Sequence, residues 1–244
     1  NWTRIKSNLP VVPVDDLAIH PRENDLIVGT HGRSAWILAD VTPLEHLSAE
    51  LLIEAGQLFP QKPVTMWAQK GDWPFYGATY SASNPPRGAL IRYYLSDHQS
   101  EGDPARDAVA QESENEEPIP DSEGFSLTIE NAQGEHVRTL TTPSSAGINE
   151  VVWDWRYDAP YEMDEAPNEG GGGFGGGAPQ GPIVLPGTYT VTMGVGAQSY
   201  STTVEIKTDP RRTMADPDRM ARQEVLMSLH TLAKPIYEAT EAME

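Results

Sequence analysis

Two segments with alternating apolar residues constrain the fold of this chain most strongly. Asn149–Arg156 predicts a strand that ends in two tryptophans, and Leu185–Met193 predicts a Pro-Gly turn that leads into a strand. Along the second strand every other side chain is large and apolar, as in a strand with one buried face: Tyr189, Val191 and Met193. We predict that the two segments are neighbouring strands of an antiparallel β-sandwich.

Charge and cysteine content exclude several classes of partner. The 244 residues carry a net charge of −19, from 36 acidic and 17 basic side chains. This field repels phosphate backbones, so we expect no nucleic-acid partner. No cysteine is present, so neither disulfides nor thiolate zinc sites stabilise the fold. No apolar run approaches the ~20 residues of a membrane-spanning helix, and we interpret the chain as a mature or internal fragment.

Residues 1–42 predict four short antiparallel strands separated by Pro, Gly and His-Gly-Arg turns. Strands of this kind make up one blade of a β-propeller, and a lone blade cannot bury both of its faces. We therefore predict the closing blade of a propeller whose other blades lie upstream or on a separate chain. The predicted strands are Trp2–Lys6, Asp16–His20, Leu26–Thr30 and Ala35–Leu38.

The same stretch is similar to the closing blade of the sialidase/sortilin-like (BNR-repeat) β-propeller proteins, with one departure at Ala39, where many relatives have aspartate. The resemblance implies that the protein is bacterial and is exported to the periplasm or the cell surface. It also implies that the remaining blades complete the propeller. Its Asp-box pattern, S-x-D-x-G-x-T-W, does not occur in this chain. The residues that carry the resemblance are Asn8–Pro10, His20–Pro21, Gly29–Arg33, Trp36 and Asp40–Leu44.

The Gly29–Arg33 hairpin contains two candidate contact residues, His31 and Arg33. An imidazole and a guanidinium at one turn can bind an anionic ligand. The alternative, which we favour, is a tight turn in which Gly32 has a positive φ and Arg33 pairs with a neighbouring blade.

Residues 43–83 predict a linker. A helix is expected from Thr42, as N-cap, through about Ala55. The Pro-rich stretch that follows contains Trp67, Trp73 and Tyr76, which are candidates for carbohydrate contact. Aromatic residues in a linker more often seal the seam between two domains, and we favour that interpretation.

Residues 84–208 predict an immunoglobulin-like or fibronectin-like β-sandwich of six or seven short strands. The segment resembles the Ig-like domain of flagellar hook-cap proteins, which implies a scaffold role and no catalytic residues. The predicted strands are Ala89–Leu95, Phe125–Glu130, Val137–Leu140, Asn149–Arg156, Gly187–Met193 and Ser199–Lys207.

Two insertions interrupt this domain. Residues 97–123 are rich in Asp and Glu, with Arg106 as the only basic residue. Such carboxylates can bind calcium, but no D-x-D-x-D-G loop is present, so we favour a solvated segment without a cofactor. Residues 162–182 contain GGGGFGGGAPQG, which predicts a flexible surface loop with Phe174 as a candidate anchor for a partner.

Residues 209–244 predict a helix that starts at Asp216-Pro217, with a break or kink at Pro235. Its apolar set is Met220, Val225, Met227, Leu229, Leu232 and Ile236.

These patterns define an all-β chain: a partial propeller blade and an Ig-like sandwich, with a linker helix and a C-terminal helix. We predict a non-catalytic C-terminal module of an exported β-propeller protein, which binds or braces protein partners in a larger assembly. The alternative is the accessory end of a sialidase-like glycoside hydrolase whose catalytic residues lie in other blades. No HExxH, G-x-S-x-G or cysteine nucleophile is present, so we expect no catalytic residue in this chain.

Overall fold

The computed structural model describes residues 9, 11–68, 86–96, 125–162 and 178–243. The chain divides into two compact units, Asn1–Glu54 and Ala55–Glu244. Both units are built mainly from β-strands, and the second ends in a long helix. The chain is therefore mostly β, as predicted.

The described residues of the first unit form one antiparallel sheet of three strands in the order β1-β2-β3. The strands are β1 (Val14–Ile19), β2 (Leu26–Thr30) and β3 (Ala35–Leu38). The bounds of β2 and β3 match the prediction, while the predicted strand Trp2–Lys6 lies outside the described residues. Between β1 and β2 the backbone N–H of Glu23 donates to His20 Nδ1 at 3.0 Å, which closes the turn.

The predicted linker helix is much shorter than expected. Helix α1 spans only Thr42–Glu45, and a single 3-10 turn follows at Leu51–Ile53. Ser48 begins that turn, because its Oγ accepts a hydrogen bond from the Leu51 N–H at 3.2 Å. Serine competes for backbone groups in this way and favours turns over helix interiors. The predicted Thr42 cap is also wrong: the N-cap residue is Val41 and makes no side-chain cap.

The described residues of the second unit form two sheets. One has five strands in the order β5-β11-β10-β7-β8, and the other has three in the order β4-β6-β9. Strand β5 runs parallel to β11, and the other neighbours are antiparallel. The strands are β4 (Gly56–Leu58), β5 (Val64–Met66), β6 (Ala89–Leu95), β7 (Phe125–Glu130), β8 (His136–Thr139), β9 (Gly147–Trp153), β10 (Gly187–Val195) and β11 (Gln198–Thr208).

Strands β4 and β5 lie in the region predicted as a linker. They add an edge strand to the three-stranded and the five-stranded sheet respectively. Gly56 fits this position because a Cβ there would lie 2.9 Å from Met193 Cε and 3.1 Å from the Tyr94 carbonyl oxygen. Residues 56–66 therefore belong to the sheets rather than to a spacer between units.

The two sheets share one hydrophobic core. Alternate residues of β6, β7 and β10 are buried, which confirms the predicted alternation at Tyr189, Val191 and Met193. Trp153 is fully buried, its Nε1 donates to the Arg156 carbonyl at 3.0 Å, and its ring lies edge-on to Tyr189 with centroids 5.0 Å apart. Trp153 therefore anchors one sheet against the other.

The predicted pairing of the two organising segments is wrong. Strand β9 pairs with β6, whereas β10 pairs with β7 and β11, so the two segments belong to different sheets and face each other across the core. The predicted strand also ends early. It stops at Trp153, and Trp155 follows with a φ of +61°, outside the extended region.

Helix α2 spans Asp216–Glu241 and begins where the Asp-Pro signal predicted. It continues across Pro235, so the predicted break does not occur. His230 Nε2 lies 2.9 Å from the Asp158 carbonyl oxygen, and the rings of Tyr161 and Tyr237 stack with centroids 4.2 Å apart. Among the described residues, no helix has both the length and the apolar character needed to cross a membrane.

Truncation of the core tryptophan tests this packing. We expect Trp153→Ala to lower the free energy of unfolding by about 3–5 kcal/mol, because it leaves a large cavity between the sheets. Trp67→Ala is the matched control: Trp67 is 47% exposed, and we expect a loss of about 1 kcal/mol or less. Urea denaturation of both variants measures the difference, and equal losses would contradict the assigned core.

Candidate binding surfaces

The three-stranded sheet β1–β3 has apolar side chains on both of its faces. Residues paired across antiparallel strands point to the same face, and successive residues of a strand alternate. The register pairs Leu17 with Val28 and Ile27 with Ile37. One face therefore carries Leu17, Ile19, Leu26, Val28, Trp36 and Leu38, and the other carries Asp16, Ala18, Ile27, Gly29, Ala35 and Ile37.

Most of these side chains are accessible. Val28 is buried, but Leu17, Ile19 and Ile37 are 57–66% exposed. Strands whose apolar residues continue through both faces are typical of sheets covered on both sides. The sheet thus presents two apolar surfaces, and the described residues cover these surfaces only in part.

The hairpin between β2 and β3 forms the predicted tight turn. Gly32 has a φ of +76°, and the Arg33 carbonyl accepts a hydrogen bond from Trp36 Nε1 at 2.9 Å. His31 Nδ1 lies 3.2 Å from Asp15 Oδ2, a partner that the sequence analysis missed. Because a carboxylate already faces the imidazole, the geometry gives the predicted anion contact little support.

Trp67 lies directly after β5, beside an ion pair whose carboxylate is buried and whose guanidinium is largely exposed. The Arg211 guanidinium stands 5.1 Å from the centre of the Trp67 ring and binds Asp209 through Nε at 2.9 Å and Nη2 at 2.7 Å. The Ala68 N–H also donates to Asp209, at 3.0 Å. One face of the ring is therefore covered by a cation, and a sugar cannot stack on that face.

The pKa of the Asp209 carboxyl is strongly lowered in this cluster. The Asp209 side chain is 2% exposed. Hydrogen bonds from the Arg211 side chain, and then from the Ala68 and Arg211 backbone N–H groups, hold the pKa of Asp209 well below its usual range. Asp209 accordingly stays ionised and joins β11 to the segment after β5.

Helix α2 carries an apolar stripe on its outer side. Val225, Leu229, Leu232 and Ile236 are 54–63% exposed and repeat at intervals of four, three and four residues. This spacing is typical of a helix seam that packs against another helix. Met227, which was predicted to belong to the same set, is half-buried on the other side.

Several sequence candidates fall outside the described residues. They are Trp73, Tyr76, Phe174 and the acidic insertion 97–123, in which calcium was considered. Within the part of the chain that is described, no group of three or more His, Asp or Glu side chains is arranged to hold a metal ion.

Comparison of the chain with protein-family models, with curated proteins and with solved structures found no match. A proposal for the function therefore draws on the geometry of these surfaces and on the resemblances stated in the sequence analysis.

The Asp209–Arg211 pair predicts a pH-dependent contribution to stability. Because the pKa of Asp209 is depressed in the folded protein, the contribution is present above the unfolded carboxyl pKa of about 3.9 and is lost as the pH falls further. We expect Asp209→Asn to destabilise the protein at pH 6, and the difference from wild type to shrink towards pH 3.

Urea denaturation between pH 6 and pH 3 measures this difference. Glu205→Gln is the control, because its ion pair with Lys207 is about half exposed and should contribute little at any pH. A difference between Asp209→Asn and wild type that stayed constant over this range would contradict the assignment.

Proposed function

We propose that this chain is a non-catalytic module of an exported β-propeller protein and acts by binding or bracing protein partners. In this proposal residues 1–42 form the closing blade of the propeller, and the two sheets of the second unit are an immunoglobulin-like sandwich. The observation that carries the proposal is the sheet β1–β3, whose two apolar faces remain largely exposed.

Energetics favour a protein partner on these faces. Burial of a Leu or Ile side chain contributes about 1.5–3 kcal/mol. Four such side chains of the sheet are exposed, namely Leu17, Ile19, Ile37 and Leu38. Because 38–66% of each side chain is still exposed, their complete burial would contribute about 3–7 kcal/mol in total, near the lower end of the ~5–15 kcal/mol that stabilises a whole domain. Exposed apolar surface of this extent is typical of protein–protein contacts.

Adjacent propeller blades are the partner that fits best. Each blade of a propeller lies between two neighbours, which cover both of its faces. The resemblance of residues 8–44 to a closing blade supports the same partner, carried upstream on the same polypeptide or on a separate chain. Export to the periplasm or cell surface is likewise proposed on the resemblance alone.

The stripe on α2 supports a second protein contact. Its apolar residues follow the spacing of a helix–helix seam and lie on the side of the helix that the second unit leaves exposed. A bracing role is favoured over an accessory role in a glycoside hydrolase. The accessory role needs sugar contact through aromatic residues, and Arg211 covers one face of the Trp67 ring.

Photo-crosslinking in the cells that produce the protein tests this proposal. We replace Ile37, on an apolar face of the sheet, by p-benzoylphenylalanine, and place the same residue at Ser201, an exposed position of β11, as the control. After irradiation we expect position 37 to form adducts with a polypeptide that contains propeller repeats, identified by mass spectrometry, and position 201 to form few.

Two results would contradict the proposal. One is the absence of adducts at position 37 beyond the level at position 201. The other is adducts that join position 37 only to residues 55–244, because the chain would then cover the sheet by itself.

A further inference from the structure

A cavity of about 160 Å³ lies in the second unit, beside the Asp209 cluster described above. Four segments form its walls: the end of β5, the residues that precede β10, the end of β11 with the loop that follows, and the first turns of α2. The lining residues are Met66, Ile183, Val184, Leu185, Pro186, Thr208, Asp209, Arg212, Met214, Arg219, Arg222, Gln223 and Leu226.

Most of the wall is apolar, which sets the size and kind of group that fits. Met66, Leu185, Met214 and Leu226 contribute to an apolar lining. A cavity of about 150 Å³ with such a lining admits a benzene molecule. The cavity therefore accommodates one branched aliphatic or aromatic side chain, and it is too small for a long acyl chain.

The polar part of the wall is strongly cationic, although the chain as a whole has a net charge of −19. It carries three arginines against one carboxylate, and that carboxylate, Asp209, is already bound by Arg211. Arg219 is held by Asp216 and by the Met214 carbonyl, both at 3.1 Å. Arg212 and Arg222 are exposed and have no ion-pair partner among the described residues.

The cavity thus combines a hydrophobic wall with two guanidinium groups, those of Arg212 and Arg222, that have no ion-pair partner among the described residues.

We infer that this cavity binds a carboxylate attached to a single apolar side chain, as at the C-terminus of a peptide that ends in Leu or Phe. The apolar side chain fills the cavity, and the planar carboxylate pairs with the guanidinium groups of Arg212 and Arg222, whose geometry suits bidentate contact. This inference does not depend on the proposed blade, because every lining residue lies in the second unit.

Methyl NMR of the methionines tests the inference directly. Met66 and Met214 line the cavity, and Met193, in the buried core, is the internal control. The probes are N-acetyl-leucine, its amide, and a pentapeptide ending in Leu with either a free or an amidated C-terminus. We expect saturable shifts of Met66 and Met214 with the two acids and none with the two amides.

Variants of the arginines separate the charge contacts from simple apolar filling. We expect Arg212→Gln/Arg222→Gln to weaken binding of the acids at least tenfold, equivalent to ~1.4 kcal/mol. Arg33→Gln, an exposed arginine of the first unit, should leave the affinity unchanged. Tighter binding of the peptide acid than of N-acetyl-leucine would identify a peptide terminus as the source, and equal binding would identify a small free acid.

Three results would overturn the inference. They are the absence of saturable shifts at Met66 and Met214, equal binding of acids and amides, and equal weakening by Arg33→Gln and the double variant.

Discussion

A β-sheet with apolar residues on both faces is stable only when both faces are covered, and this constraint governs the whole chain. In the second unit the two sheets cover each other, so that Trp153 and Tyr189 meet across a closed core. In the first unit the described residues form no such second layer over the sheet β1–β3, and of its large apolar residues Val28 alone is buried. The two units therefore differ in how completely their apolar side chains are covered.

The strands were predictable because alternation of apolar residues is a local signal. Leu26–Thr30, Ala35–Leu38, Ala89–Leu95 and Phe125–Glu130 were placed with the correct ends. Alternation specifies which face of a strand is buried but not which strand lies beside it, so the pairing of β9 with β10 was predicted wrongly. Strands β4 and β5 have three residues each and lie near prolines, so they gave too little periodicity to recognise.

Features of the candidate surfaces could be predicted only where residues close together in the sequence determine them. The turn at Gly32 follows from a Gly-containing hairpin sequence. The partners of the candidates were missed because they are distant in sequence: Asp15 faces His31, and Arg211 covers Trp67. The cavity was missed for the same reason, since four separate segments form its walls and no single one of them carries a motif.

Native-state hydrogen exchange of the chain by itself tests the central claim, that the sheet β1–β3 depends on a cover from outside the described residues. Amides of a well-packed core exchange only through global unfolding, whereas weakly packed strands open locally at much lower free energy. We expect rapid exchange for the paired amides of β1, β2 and β3, and slow exchange for those of β7 and β10. Equal protection of the two groups would contradict it, because the three-stranded sheet would then be stable without a partner.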